Sequence, residues 1–282
     1  MGALEDQVVY GRATNEVYDL RWGHDLANRI SGQIKSEIGR IRASPPLIPI
    51  VSGASRYEDV VQSYRVDDGG PPFRIRPNKK LAPIKISSGF VLAQQQFSDE
   101  LLAARLALRP ASDLAFAEDA ILLHGKRAKE TLPGLDFEDE NRTLDEQEGL
   151  FLREARPLPA KRDIFESILK ALEVLQENKQ HGPYCVVVSP DLHREAITPV
   201  ESGTTPRIDP ILPQLREHGF RFTEAARPRT GVAFSLGGGA LDMLIPWDSH
   251  VECRKVEGDA TFVVVQQFRL RINDPRAVVP LS

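Results

Sequence analysis

Residues 98–135 read S-D-E-L-L-A-A-R-L-A-L-R-P-A-S-D-L-A-F-A-E-D-A-I-L-L-H-G-K-R-A-K-E-T-L-P-G-L. Ser98 is placed to cap a helix, Asp99 and Glu100 suit its positive first turn, and Pro110 is expected to end it. A second helix is expected from a cap at Asp113. Leu114, Phe116, Ala117, Ala120, Ile121, Leu122 and Leu123 leave that helix apolar on nearly every side, which predicts a buried spine. Glu118 and Asp119 interrupt the apolar surface. Adjacent residues on a helix point about a quarter-turn or more apart, a poor arrangement for an acid/base pair; bonding to nearby backbone or to an arginine suits them better. Gly125 can take the left-handed conformation that closes a helix, and Pro133-Gly134-Leu135 reads as a turn before an acidic loop.

Working outward, 282 residues are enough to bury a sizeable core in one or two domains. Hydrophobic residues make up 41% and charged residues 27%, so the composition indicates neither a membrane protein nor a disordered one. A formal net charge of −4 argues against a surface built to neutralise nucleic-acid phosphates. Cys185 and Cys253 stand far apart without metal-ligand spacing, which fits a reducing cytoplasm. The N-terminal residues lack the basic-then-apolar pattern of a secretory signal, and no apolar run is long enough to span a bilayer.

Residues 1–14 are polar and unpatterned and read as an arm. Leu20, Trp22, Leu26, Ile30, Ile34, Ile38 and Ile41 then recur at mostly four-residue spacing, one face of an amphipathic helix. Residues 53–86 look like a long excursion, with V-D-D-G-G-P-P-F-R-I-R-P-N-K-K combining a tight turn with extended flanks. Such a two-stranded arm is marginal in water without a partner surface. Arg74, Arg76, Lys79 and Lys80 make its tip basic, and the acidic run 136–148 carries complementary charge.

Asp163 can cap an amphipathic helix bearing Ile164, Ile168, Leu169, Leu172 and Leu175. After Gly182-Pro183, Tyr184 to Val188 is a continuous apolar run suited to a central strand. Ser189-Pro190 starts another helix. The segment around Glu201–Thr205 has no apolar periodicity and reads as a loop. From Phe220 the pattern is mainly strands, with Gly237-Gly238-Gly239 as a hairpin turn and a last long strand, T-F-V-V-V-Q-Q-F-R-L-R-I, before Asn273-Asp274-Pro275 and A-V-V-P-L.

No catalytic or metal constellation emerges. The six histidines show no H-E-x-x-H or close pairing, no G-x-S-x-G elbow occurs, and Cys185 sits in an apolar strand where a thiolate is disfavoured. Basic and aromatic residues do not interleave as nucleic-acid templates require.

Three landmarks resemble the encapsulins, bacterial and archaeal shell proteins with the fold of tailed-phage capsids. The first is E-D at 118–119, apolar residues, Gly125, then Gly134-Leu135 nine residues on. The second is the order helix, G-P-Y at 182–184, buried strand, S-P, helix. The third is the long final strand, a turn with Pro275 and a short apolar close. The resemblance implies an α+β capsid-like subunit: N-terminal arm 1–14, N-terminal helix and start of a peripheral domain 15–52, extended loop 53–86, spine helix 87–136, axial domain 137–235, and peripheral C-terminal strands 236–282. It implies a cytoplasmic, self-assembling icosahedral compartment with no catalytic role and no cofactor, binding neither nucleic acid nor membrane and holding a cargo protein through that cargo's C-terminal targeting peptide.

By the same resemblance Glu201, Ser202, Gly203, Thr204 and Thr205 would rim the five-fold pore, Trp22, Leu26, Ile30 and Ile34 would form a cargo-docking face, and Arg74, Arg76, Lys79 and Lys80 would lie in an inter-subunit loop. Two other readings stay open. A viral major capsid protein would share the fold and package DNA, and a cysteine-dependent hydrolase would be built on Cys185.

Overall fold

The structure is a computed structural model that describes residues 9–10, 17–43, 45–51, 61–66, 75–131, 143–151, 157–159, 163–199 and 205–281. In chain order its elements are β1 (Val9–Tyr10), β2 (Val17–Tyr18), α1 (Leu20–Ile41), β3 (Ile50–Val51), β4 (Val61–Val66), β5 (Ile75–Leu81) and β6 (Ile84–Leu92). There follow α2 (Glu100–His124), α3 (Ala128–Thr131), α4 (Ile164–Glu177), β7 (Tyr184–Val188) and α5 (Pro190–Ile197). The chain closes with β8 (Leu215–Phe222), β9 (Gly231–Ser235), β10 (Leu241–Glu257), β11 (Asp259–Ile272) and β12 (Val278–Pro280).

Two four-stranded sheets carry the architecture, ordered β3-β10-β11-β6 and β12-β9-β7-β8. Helices α1 and α2 pack on the first. The central strands of the second sheet, β7 and β9, are buried on both faces, their alternating side chains entering two different cores. Cys185, Val187, Val232 and Phe234 join the core of α1, α2 and the first sheet, while Tyr184, Val186, Val188 and Ala233 join a second core with α4 and α5. That two-sided burial is why the strand from Tyr184 reads as unbroken apolar sequence. Separately, β4 and β5 pair antiparallel as a two-stranded sheet of their own, from Val61 opposite Leu81 to Val66 opposite Ile75.

The spine differs from the expectation of two helices. α2 runs unbroken for 25 residues with Pro110 inside it, and Asp113 is an interior residue rather than a cap. Proline in a helix interior costs about 3 kcal/mol, and each large apolar side chain fully buried returns about 1.5–3 kcal/mol. Leu114, Ile121, Leu122 and Leu123 are all buried on this helix, so packing outweighs the local penalty. The Ser112 hydroxyl donates to the Leu108 carbonyl at 3.0 Å within the same stretch. Asp99 rather than Ser98 caps the start, accepting from the Leu102 N–H at 2.8 Å. Gly125 closes the helix at positive φ, +58°, as expected, but its ψ of −133° is not that of the left-handed helical conformation.

Two further expectations change. Gly237–Gly239 does not turn a hairpin, since β9 and β10 belong to different sheets; the triplet carries the chain across, with Gly238 and Gly239 at positive φ. The hairpin is instead β10–β11, turned at Gly258. β10 slips register three times against β11, and Pro246, which has no N–H for the ladder, lies in the first slip. The C-terminal close also leaves the set of strands expected for it: β12 pairs with β9, Val278 opposite Phe234, and so covers an edge of the second sheet.

Gly125 combines positive φ with crowding. A Cβ there would stand 2.3 Å from the Gln147 carbonyl oxygen and 2.6 Å from the Gly149 nitrogen, both backbone atoms that cannot swing aside. Gly125→Ala is expected to destabilise the fold by about 3 kcal/mol, read as a lowered thermal midpoint. An unchanged midpoint would show that the helix end relaxes freely.

Candidate functional site

The polar groups of the spine gather where three parts of the chain meet. Glu118 is completely buried, and its Oε1 accepts from Gln266 Nε2 of β11 at 2.6 Å; Gln266 in turn accepts from the Ser249 hydroxyl of β10 at 3.1 Å. Asp119 Oδ2 accepts from the Ala43 N–H just beyond α1 at 3.0 Å and from the Thr223 hydroxyl beyond β8 at 2.9 Å. One carboxyl therefore bonds to the first sheet. The other ties the exit of α1 to the exit of β8.

Arg42 approaches Glu118, but its Nη1 is 3.6 Å from Oε2, too far for a charge-assisted hydrogen bond. Arg42 Nε and Nη1 and Glu118 Oε2 are buried without a hydrogen-bond partner. Burial pushes the Glu118 carboxyl up to about 8 against the pull of Arg42, and the negative charges of Asp119 and Asp248 act in the same direction as burial. Glu118 is thus protonated at neutral pH. The sequence predicts backbone and arginine partners for the pair. Gln266 and Thr223 lie more than a hundred residues away, with no local signal pointing to them.

Beside this junction a cleft of about 590 Å³ opens between the end of α1, the middle of α2 and the exit of β8. Ile41, Phe116 and Phe222 supply its apolar lining, and Arg40, Arg42, Arg221, Asp113 and Glu224 supply charge of both signs. Cys185 offers no catalytic alternative: it is fully buried, and burial pushes its thiol up to about 12. Among the described residues, no three His, Cys, Asp or Glu side chains are grouped to hold a metal ion.

Residues 95–267 match the linocin M18 family, described as encapsulating protein for peroxidase. The chain belongs to the encapsulin family. The fold is shared with a virus-like particle from Pyrococcus furiosus, with a TM-score of 0.65 at 14% identity over 90% of this chain and 98% of that one. It is also similar to the holo-SrpI encapsulin complex of Synechococcus elongatus, at a TM-score of 0.55 and 9% identity over 84% and 85% of the two chains. Gordonia phage Cozz gives a TM-score of 0.52 at 13% identity, over 83% of this chain and 84% of the phage chain. The fold is thus α+β and of the tailed-phage-capsid type.

Leu26, Ile30 and Ile34 are fully buried in the chain's own core, and Trp22 is half-buried, stacked on Phe97 with ring centroids 4.5 Å apart. The amphipathic stripe of α1 that carries them closes the core against β10 and α2, leaving its polar side, including Asn28, Arg29 and Gln33, exposed. Glu201, Ser202, Gly203 and Thr204 lie outside the described residues. Thr205 is exposed on the rim of a pocket of about 430 Å³ with Phe165, Pro206 and Arg207. Pro199 and Pro206 form a bridge at the base of that loop, and Arg207 pairs with Asp163 at 3.5 Å. Arg74 lies outside the described residues; Arg76, Lys79 and Lys80 belong to β5.

Ile34→Ala is expected to cost about 2–5 kcal/mol of stability, measured by denaturant unfolding, because it hollows the core. A variant with native stability would show that this side chain does not carry the core. Glu118→Gln tests the junction. With its folded pKa raised above the unfolded value, Glu118 contributes least at high pH, so wild-type stability should fall as pH rises from about 4.5 to about 8. The Gln variant should show a flatter profile and a higher melting temperature at pH 8. Parallel wild-type and variant profiles would mean that Glu118 keeps its ordinary acidity.

Proposed function

We propose that this protein assembles with copies of itself into a closed icosahedral compartment in the cytoplasm, enclosing a cargo protein that bears a C-terminal targeting peptide. The observation that carries this reading is the family match over residues 95–267 on a capsid-type fold. In a shell of this kind each subunit meets its neighbours through different patches, and rotational symmetry closes the surface. The β4–β5 hairpin serves such a contact: two strands alone are marginal in water, and a neighbour's surface would complete their burial. The sequence there carries Arg74, Arg76, Lys79 and Lys80, which would bring positive charge to that contact.

The loop containing Glu201, Ser202, Gly203, Thr204 and Thr205 would rim a five-fold opening. Hydroxyls and backbone there admit small polar solutes, and a ring of Glu201 favours cations. Cargo would meet α1 through its polar side, since its apolar side is occupied. A DNA-packaging capsid has the same fold, but a net charge of −4 suits nucleic acid poorly.

Size-exclusion chromatography followed by negative-stain electron microscopy tests the proposal. Uniform closed particles containing a co-purifying protein and no nuclease-protected nucleic acid are expected. A monomer or dimer would overturn the shell reading, and protected DNA would replace it with the capsid reading.

A further inference from the structure

Arg269 of β11 is 1% exposed and is the largest of the fully buried side chains among the described residues. The ladder between β11 and β6 runs from Ala260 opposite Leu92 to Phe268 opposite Ile84 and stops there. Pro83, which has no N–H to extend it, precedes Ile84, and Ala82 joins Pro83 to β5 and so to the β4–β5 arm. Where the ladder stops, the next side chain of β11 takes over. Arg269 Nη1 donates to the Ala82 carbonyl at 3.2 Å, and its Nη2 donates to the Glu146 carbonyl at 2.9 Å.

The second of these acceptors is held firmly by its own neighbours. The Lys126 N–H donates to the Gln147 carbonyl at 3.0 Å, and the N–H groups of Leu150 and Phe151 donate to the Leu122 and Leu123 carbonyls at 2.7 and 2.8 Å. Gln147 Nε2 also donates to the Leu270 carbonyl of β11 at 3.2 Å. Glu146 is thus a fixed point between the end of α2 and β11. The arm has less to hold it: β4 and β5 pair with each other and with no other strand among the described residues. One planar guanidinium bonded to both carbonyls sets their spacing and angle, which a lysine ammonium on its flexible stem does not.

We propose that Arg269 aims the arm: it fixes the direction in which β4 and β5 leave the rest of the subunit, and with it the angle at which one copy of the chain meets the next. This rests on the reading of the protein as a shell subunit. A closed shell repeats the same contacts throughout, so a spread in the arm's direction becomes a spread in curvature. Arg269 is a positioning residue. Being fully buried, it acts through Ala82 at the arm's root and not on the neighbouring copy.

Electron–electron double resonance tests this on full-length protein carrying spin labels at Gln62→Cys in β4 and Leu101→Cys in α2. The labelled chain is co-expressed with an excess of the unmodified chain, whose two cysteines are buried, so that distances within one subunit dominate. Arg269→Met keeps a long side chain and makes neither bond. It should give a distance distribution about twice as broad as that of the wild type, with uniform particles replaced by mixed sizes under the electron microscope. Arg229→Met is the control, since Arg229 braces the second core through the Leu158 and Pro159 carbonyls and Glu195. It should keep the wild-type width and uniform particles. Should Arg269→Met fail to fold, Arg269→Lys, which keeps the charge without the fork, is expected to broaden the distribution in the same way. A distribution no broader at position 269 than in the control, or uniform particles from the broadened variant, would overturn the role of Arg269. A wild type that forms no particles would overturn the shell reading instead, and the distances would still decide whether Arg269 aims the arm.

Discussion

A helix buried on nearly every side can carry two adjacent carboxyl groups only if each finds its own partners, because an unpaired buried charge is strongly penalised. On α2 the groups diverge around the helix. Glu118 reaches Gln266 on the first sheet, while Asp119 reaches Ala43 and Thr223. The solution differs for each. Glu118 stands where desolvation exceeds the attraction of an arginine 3.6 Å away and keeps its proton; Asp119 receives two short hydrogen bonds from neutral donors. The pair that interrupts the apolar surface is also what fastens α1, the first sheet and the second sheet to one helix.

The rest of the packing follows from that helix being a shared wall. Ala103, Ala107, Ala111 and Ala115 are completely buried, and small side chains let neighbouring elements come close. On α1, Gly23 serves the same end, since a Cβ there would stand 2.3 Å from Cys253 Sγ. The edges are managed as well. β12 folds back onto β9, and α1 packs along β10, with Ser31 Oγ accepting the Val251 N–H at 2.9 Å. The outward side of β10 carries a ladder of charge, with Glu252 contacting both His250 and Arg254, as expected of a solvated surface.

Much of the fold was legible because the signals were local. The four-residue apolar recurrence from Leu20 to Ile41 is α1, Asp163 caps α4, and the apolar run from Tyr184 is an interior strand. Where local chemistry and packing conflicted, packing prevailed: Pro110 and Asp113 carry helix-ending and helix-starting signals, yet both lie within α2. The glycine triplet shows the same limit, since a turn signal specifies that the chain bends but not which strand it meets next.

The sequence by itself determined most of the elements, the burial of the spine and the resemblance to the family, because periodicity, caps and motif order are properties of neighbouring residues. Only the tertiary structure decided that the apolar face of α1 is spent on the chain's own core, that β12 crosses to the second sheet, and that Gln266, Thr223 and Ala225 converge on α2. Those outcomes depend on which surfaces compete for burial and on hydrogen bonds between residues about a hundred positions or more apart. Folding brings such partners within 3 Å, and no local pattern encodes their meeting.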